Sequence, residues 1–272
     1  FNDAFVEYAE SKRKSINNDE EASILRHDLR TPLNGIIGYS EILLEDYEDD
    51  IDKNHSEDIN HVIGLAKEKN LTNPWHLVAH SLGCLLGLRR LISEPRSFSR
   101  YIFLSPLWGN IRSIPRPFQR LLLGCEKILQ FLHLTEITYQ NPNNYKPYSL
   151  TVNFKENTLT SDKKQFNRLQ MILKENTELH SGTPTLGYLI AILREIDELS
   201  MTDLPVSKIL VLLAEQERIT DNDAVLRFIK RHKFIKVEKI PKAQHEILIE
   251  KKDIRGKAIS LMHTFLKASC KS

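Results

Sequence analysis

Ser81 stands in Ala79-His80-Ser81-Leu82-Gly83, between a short apolar run at 76–79 and a stretch of helical character at 84–92. A serine hydroxyl becomes a nucleophile only when a base removes its proton and an acid orients that base. A tight strand-to-helix turn lifts such a hydroxyl clear of a sheet, and small residues must flank it because the two backbones nearly touch. Ala79 and Gly83 meet that need. The amide of Leu82 opens the helix, where the dipole helps it donate to an oxyanion. The candidate base, His245, lies in Lys242-Ala243-Gln244-His245-Glu246. The candidate acid, Glu217, lies in Ala214-Glu215-Gln216-Glu217-Arg218, with Asp221 four residues on as the fallback. His80 reads as packing. Together these residue types suit acyl transfer, a chemistry that needs no metal and no organic cofactor.

The elements that must carry these groups are legible as texture. Apolar runs at 76–79, 101–104, 209–213 and 234–237 predict four strands, and helical patterns cover 56–70, 84–92, 162–174, 185–199 and 254–266. Near-continuous apolar strands alternating with helices predict a parallel sheet covered on both faces. Serine, acid and histidine then fall in loops after successive strands. Between 107 and 205 the alternation stops, and Pro115, Pro117, Pro142 and Pro147 punctuate the chain. An insertion of that size predicts a helical cap over the sheet's carboxyl edge. Trp108, Phe118, 121–123, Phe131 and Tyr188 offer either an acyl-chain lining or cap core. The basic cluster Lys230-Arg231-His232-Lys233 reads chiefly as a solvated helix end, with contact to anionic lipid head groups as the other reading.

Composition narrows the class. The 272 residues are 41% apolar and 27% charged, with 38 Lys+Arg against 36 Asp+Glu, so a large core is affordable and a mostly disordered chain is excluded. A net charge of +2 gives no electrostatic case for nucleic acid as a partner. Cys84, Cys125 and Cys270 are too scattered for a disulfide framework or a metal-ligand pattern, which predicts a reducing, cytoplasmic setting. No apolar run is long enough to span a bilayer as a helix, and no secretory signal is visible at the first residues. The chain opens on Phe1 rather than Met, which reads as a fragment of a longer frame.

Residues from about 52 to 268 resemble the lysophospholipase and monoacylglycerol-lipase branch (serine aminopeptidase-like) of the α/β-hydrolases. The matching segments are Pro74-Trp75-His76-Leu77-Val78-Ala79-His80-Ser81-Leu82-Gly83, Leu104-Ser105-Pro106, Gly182-Thr183-Pro184-Thr185, the run 212–222, and His245-Glu246-Ile247-Leu248-Ile249-Glu250. The resemblance implies a serine esterase acting on lysophospholipids or monoacylglycerols. It also implies Ser81 as nucleophile, His245 as base and Glu217 as acid, where many relatives carry Asp.

A second motif lies upstream. Arg26-His27-Asp28-Leu29-Arg30-Thr31-Pro32-Leu33-Asn34 resembles the H-box of histidine-kinase phosphoacceptor modules, over about 20–47. The resemblance implies that His27 accepts a phosphoryl group, that Asp28 orients its ring and that Thr31 shares its helix face; it also implies a helix-mediated homodimer. Apolar positions across 24–44 recur at helical spacing, with a kink at Pro32. No Asp-x-Gly-x-Gly run follows, so the chain is not a complete kinase.

The expected organisation is therefore a helical segment at 1–50 and a truncated α/β-hydrolase domain at 52–268, with its cap at about 107–205. Such hydrolases carry further strands before the nucleophile strand, and the loop after its neighbour supplies a second oxyanion donor. With those strands missing, the nucleophile strand becomes an exposed edge unless the helix at 24–44 covers it. Losing one oxyanion donor costs roughly 10²–10³ in turnover, so weak activity is expected. Three readings remain open: a lipid esterase, natural or truncated, with a kinase-derived leader and peripheral contact to the inner membrane face; a phosphoacceptor segment joined to an inactive hydrolase remnant; and an artefactual join of two genes.

Overall fold

A computed structural model describes residues 59–64, 67–68, 74–109, 111–112, 114–138, 146–180 and 184–268. His27, Asp28, Thr31 and the helix expected at 24–44 lie outside these residues. Four strands form the sheet: β1 (His76–His80), β2 (Arg100–Leu104), β3 (Ile209–Ala214) and β4 (Ile235–Ile240). They are all parallel and lie side by side in chain order. Val78 faces Ile102 across the first pair, Ile102 faces Leu210 across the second, and Leu210 faces Lys236 across the third.

Alternation along the central strands fills two cores. Tyr101, Phe103, Ile209, Val211 and Leu213 point to one face, where they meet helix α1 (Leu82–Ser93) and the helix after β3. Ile102, Leu104, Leu210, Leu212 and Ala214 point to the other, where the last helix supplies Ile254 and Ala258. Every residue of β2 and β3 is buried, as a sheet covered on both sides requires. β1 is only half-buried, and among the described residues it pairs with β2 alone.

Between β2 and β3 come α2 (Arg116–Phe131), a helical turn (Tyr148–Thr151), α3 (Lys163–Glu175) and α4 (Leu186–Met201). The helix α2 is a correction, because its prolines read as punctuation in the sequence. Pro115 occupies the cap position and Pro117 the second helical residue, where a missing amide proton costs nothing. Leu122 of α2 packs with Ile190 and Leu193 of α4, and Arg194 pairs with Glu126. Arg89 of α1 holds α4 to the sheet domain through Glu195 (2.7 Å) and Glu198 (2.8 Å). After β3 comes α5 (Asn222–Arg231), and after β4 comes α6 (Lys252–Lys267).

Candidate active site

The turn after β1 forces Ser81 into a left-handed conformation, φ 52° and ψ −118°, which a residue other than glycine adopts only where its surroundings hold it. Those surroundings are specific. The Ser81 amide donates to the Leu104 carbonyl at 3.0 Å, and its own carbonyl accepts from the amides of Cys84 and Leu107, both at 3.1 Å. Leu82 is the first residue of α1, so its amide has no acceptor inside the helix. The expected crowding falls elsewhere, however. A Cβ on Gly83 would meet only Ala79, at 3.9 Å, whereas one on Gly87, a turn further on, would strike Phe103 at 2.7 Å and Leu77 at 2.9 Å.

His245 and Glu217 meet. The ring Nδ1 of His245 lies 2.9 Å from Glu217 Oε2, with both residues buried. A carboxylate only accepts, so Nδ1 carries the proton and Nε2 of a neutral ring presents its lone pair. The other oxygen of Glu217 accepts from the amides of Ile219 (2.8 Å) and Thr220 (3.2 Å). Burial by itself would push this carboxyl up. The His245 hydrogen bond and charge, together with the two amides, outweigh it and hold the group below the usual carboxylate range. Asp221 does different work: it caps α5 by accepting from the Ala224 amide at 3.1 Å, and it pairs with Arg116 at 3.0 Å. Among the described residues no hydrogen bond joins the Ser81 hydroxyl to His245. In unliganded sites such contacts commonly tighten only with substrate.

Several groups that sequence reasoning passed over hold the His245 loop. Ser105, itself at φ 44°, donates its hydroxyl to the His245 carbonyl at 2.7 Å. His80 does more than pack. Its Nε2 donates to the same carbonyl at 3.2 Å, and its ring stands edge-on to that of His245, 4.7 Å between centroids. Burial, outweighing the neighbouring Glu246 carboxylate, lowers the His80 pKa from its ordinary value. Glu250, fully buried, accepts from the Gln244 amide (2.8 Å) and the Ser161 hydroxyl (2.6 Å), tying the loop to the inserted segment. An acid following Ile247-Leu248-Ile249 was the available signal.

The residues offered as an acyl lining or as cap core do not share one environment. Trp108 is buried in the core between Phe103 and Phe228, at 5.0 and 5.4 Å, while Phe118, Leu121 and Phe131 face outward, Phe131 at 82% exposure. The basic cluster also splits: His232 turns inward, accepting from the Leu204 amide at 3.2 Å and bonding the Phe228 carbonyl at 3.1 Å. His80, His245 and Glu246 lie close enough for their donor atoms to be grouped within 4.8 Å, the one such metal-capable cluster among the described residues.

A parallel sheet, a strained serine at a strand-to-helix turn, and a carboxylate and histidine paired from the loops after β3 and β4 define an α/β-hydrolase fold. The sequence profile of the serine aminopeptidase S33 family matches residues 47–252, and the chain belongs to that family. A second profile, the His Kinase A (phospho-acceptor) domain, matches residues 17–63. Over 195 residues the chain is 25% identical to a probable lysophospholipase L2 of Haemophilus influenzae, covering 70% of this chain and 59% of that protein. It therefore spans under two thirds of that relative's length. Among solved structures, a monoacylglycerol lipase of Paleococcus ferrophilus superposes with a TM-score of 0.56 at 15% identity, covering 79% of this chain and 76% of that one. A soluble variant of the Saccharomyces cerevisiae monoglyceride lipase gives 0.55 at 15% identity, covering 76% and 68%. Among the described residues no helix is long and apolar enough to cross a membrane.

Proposed function

We propose that the chain is a serine hydrolase cleaving carboxylic esters of lipids, of the lysophospholipid or monoacylglycerol type. The observation that carries this reading is the buried 2.9 Å contact of His245 Nδ1 with Glu217, beside the strained turn at Ser81. Ser81 Oγ attacks the ester carbonyl carbon while its proton passes to His245 Nε2. Glu217 keeps the ring in the required tautomer and stabilises the imidazolium. The Leu82 amide receives the developing oxyanion. Collapse breaks the C–O bond, and His245 returns the proton to the departing alcohol. Water then repeats the sequence on the acyl-serine and releases the fatty acid.

The insertion at 107–205 acts as the cap of a domain at 52–268. The outward apolar stripe of α2, with Phe118, Leu121, Ile128 and Phe131, supports peripheral contact with lipid, and the unpaired Cys84 and Cys125 suit a cytoplasmic location. Among the described residues β1 is an edge, which leaves Leu82 as the sole oxyanion donor in this scheme and predicts slow turnover. Hydrolysis of monoacylglycerol and lysophosphatidylcholine by wild type and Ser81→Ala tests the proposal. A slow release of fatty acid that vanishes in the variant is expected; equal release from both would overturn it.

A second reading is favoured by the phospho-acceptor match at 17–63. In it His27 takes the γ-phosphoryl group of ATP from a kinase domain supplied by another chain, with Asp28 and Thr31 beside it on a dimeric helix pair. Acid-labile phosphate on wild type but not on His27→Ala, with no Ser81-dependent hydrolysis, would support it. Equal phosphate on both forms would exclude it.

A further inference from the structure

Three helices away from Ser81, His245 and Glu217 enclose a cavity of about 400 Å³. Each turns one stripe at i, i+3, i+4 and i+7 toward it, beginning at Arg116 in α2, Leu193 in α4 and Ala224 in α5; Trp108 and Gly109 complete the lining. The charge on this wall is one-sided. Arg116, Arg120, Arg227 and Arg231 line it, and Asp197 is the only acid among the lining residues. Asp221 lies behind the wall, with one carboxylate oxygen 3.0 Å from Arg116 and 3.9 Å from Arg227. Arg231 is held by the Ser200 carbonyl and stands over the Phe228 ring at 5.5 Å. Cations thus outnumber the acids in and behind the wall four to two.

We infer that this cavity binds a small organic phosphate, its phosphoryl group at the guanidinium rim and its apolar body against Leu123, Ile196 and Phe228. All four cations are Arg, whose planar fork matches phosphate oxygens two at a time; a strongly hydrated Lys would not. The volume lies in the range of small-molecule pockets, and Leu123, Ile196 and Phe228 give the lining apolar surface beside the arginines. The phosphate can come from a lipid head group or from a soluble metabolite, since both present the same oxygens.

Titration calorimetry on the full chain, with phenyl phosphate as the probe, tests this. Saturable one-to-one binding is expected, at least tenfold tighter than that of inorganic phosphate and weakened by added salt. The exposed pair Arg120→Gln with Arg227→Gln should weaken it tenfold or more, while circular dichroism shows an unchanged fold. Displacement by a six-carbon lysophosphatidic acid below its micelle concentration would support the cavity and point to lipid; failure to displace would support it and point to a soluble phosphate. An absence of saturable heat, or equal affinity in the folded double variant, overturns the inference. None of the groups of the proposed ester hydrolysis lines this cavity, so either idea can fail without the other.

Discussion

The carboxylate of Glu217 accepts three hydrogen bonds, two from amides and one from His245, whereas that of Asp221 caps α5 and faces Arg116. Their replacement should therefore separate catalysis from stability. Glu217→Gln is expected to lower kcat by roughly 10²–10⁴, because an amide no longer enforces the Nδ1–H tautomer. Asp221→Ala should leave kcat within a few-fold and cost about 1 kcal/mol through the lost cap. Steady-state kinetics with urea unfolding on both variants checks the pair. The lowered pKa of Glu217 also fixes a pH dependence. Its ionised form is favoured in the folded chain, so its contribution to stability is complete above the ordinary glutamate range near about 4.3 and fades as pH falls through the lower folded-state value. The stability gap between wild type and Glu217→Gln should accordingly shrink from pH 7 to pH 3.5; a constant gap would contradict this. Ser81, Glu217 and His245 were readable as candidates because each sits in a loop directly after an apolar run. Ser105, His80 and Glu250 were not, because their partners lie 140, 165 and 89 residues away.

At the scale of elements, the tight approach of α1 to the sheet lies at Gly87 rather than Gly83. Alanine at 87 must displace the Phe103 ring and Leu77, an overpacking cost of about 1–3 kcal/mol against a helix-propensity gain of about 1. Alanine at 83 meets no such obstacle. Gly87→Ala should therefore be less stable than Gly83→Ala, and thermal unfolding of the two proteins would detect the order directly. The strands and helices of the sheet domain follow from apolar patterning, which is local, so the expected strands at 76–79, 101–104 and 209–213 fall short of the observed ones by only a residue or so. β4 was less well placed. Its burial alternates unevenly, with Lys236, Glu238 and Lys239 among its residues, so only 234–237 shows as an apolar run, although an end near Ile240 was expected and is where the strand stops. The helix α2 escaped notice because proline near a helix start reads like proline that ends one.

At the scale of the molecule, several charged contacts attach the inserted segment, among them Arg89 with Glu195 and Glu198, Arg116 with Asp221, and Glu250 with Ser161. Arg89→Ala leaves the buried Glu195 without this partner and should cost about 2 kcal/mol, a discounted value for a pair that is not fully enclosed. Urea titration followed by tryptophan fluorescence would measure it. Among the described residues β1 lies at an edge, as counting strands led one to expect, whereas the arginine cavity depends on how three helices meet, which no single helix's pattern announces. The central claim is that Ser81, His245 and Glu217 form one working centre. Reaction of the intact chain with a fluorophosphonate, followed by peptide mass spectrometry, tests it most directly. The account predicts a single adduct on Ser81 that forms in wild type and fails to form in His245→Ala. Equal labelling of both proteins, or no adduct at Ser81 in folded wild type, would contradict it.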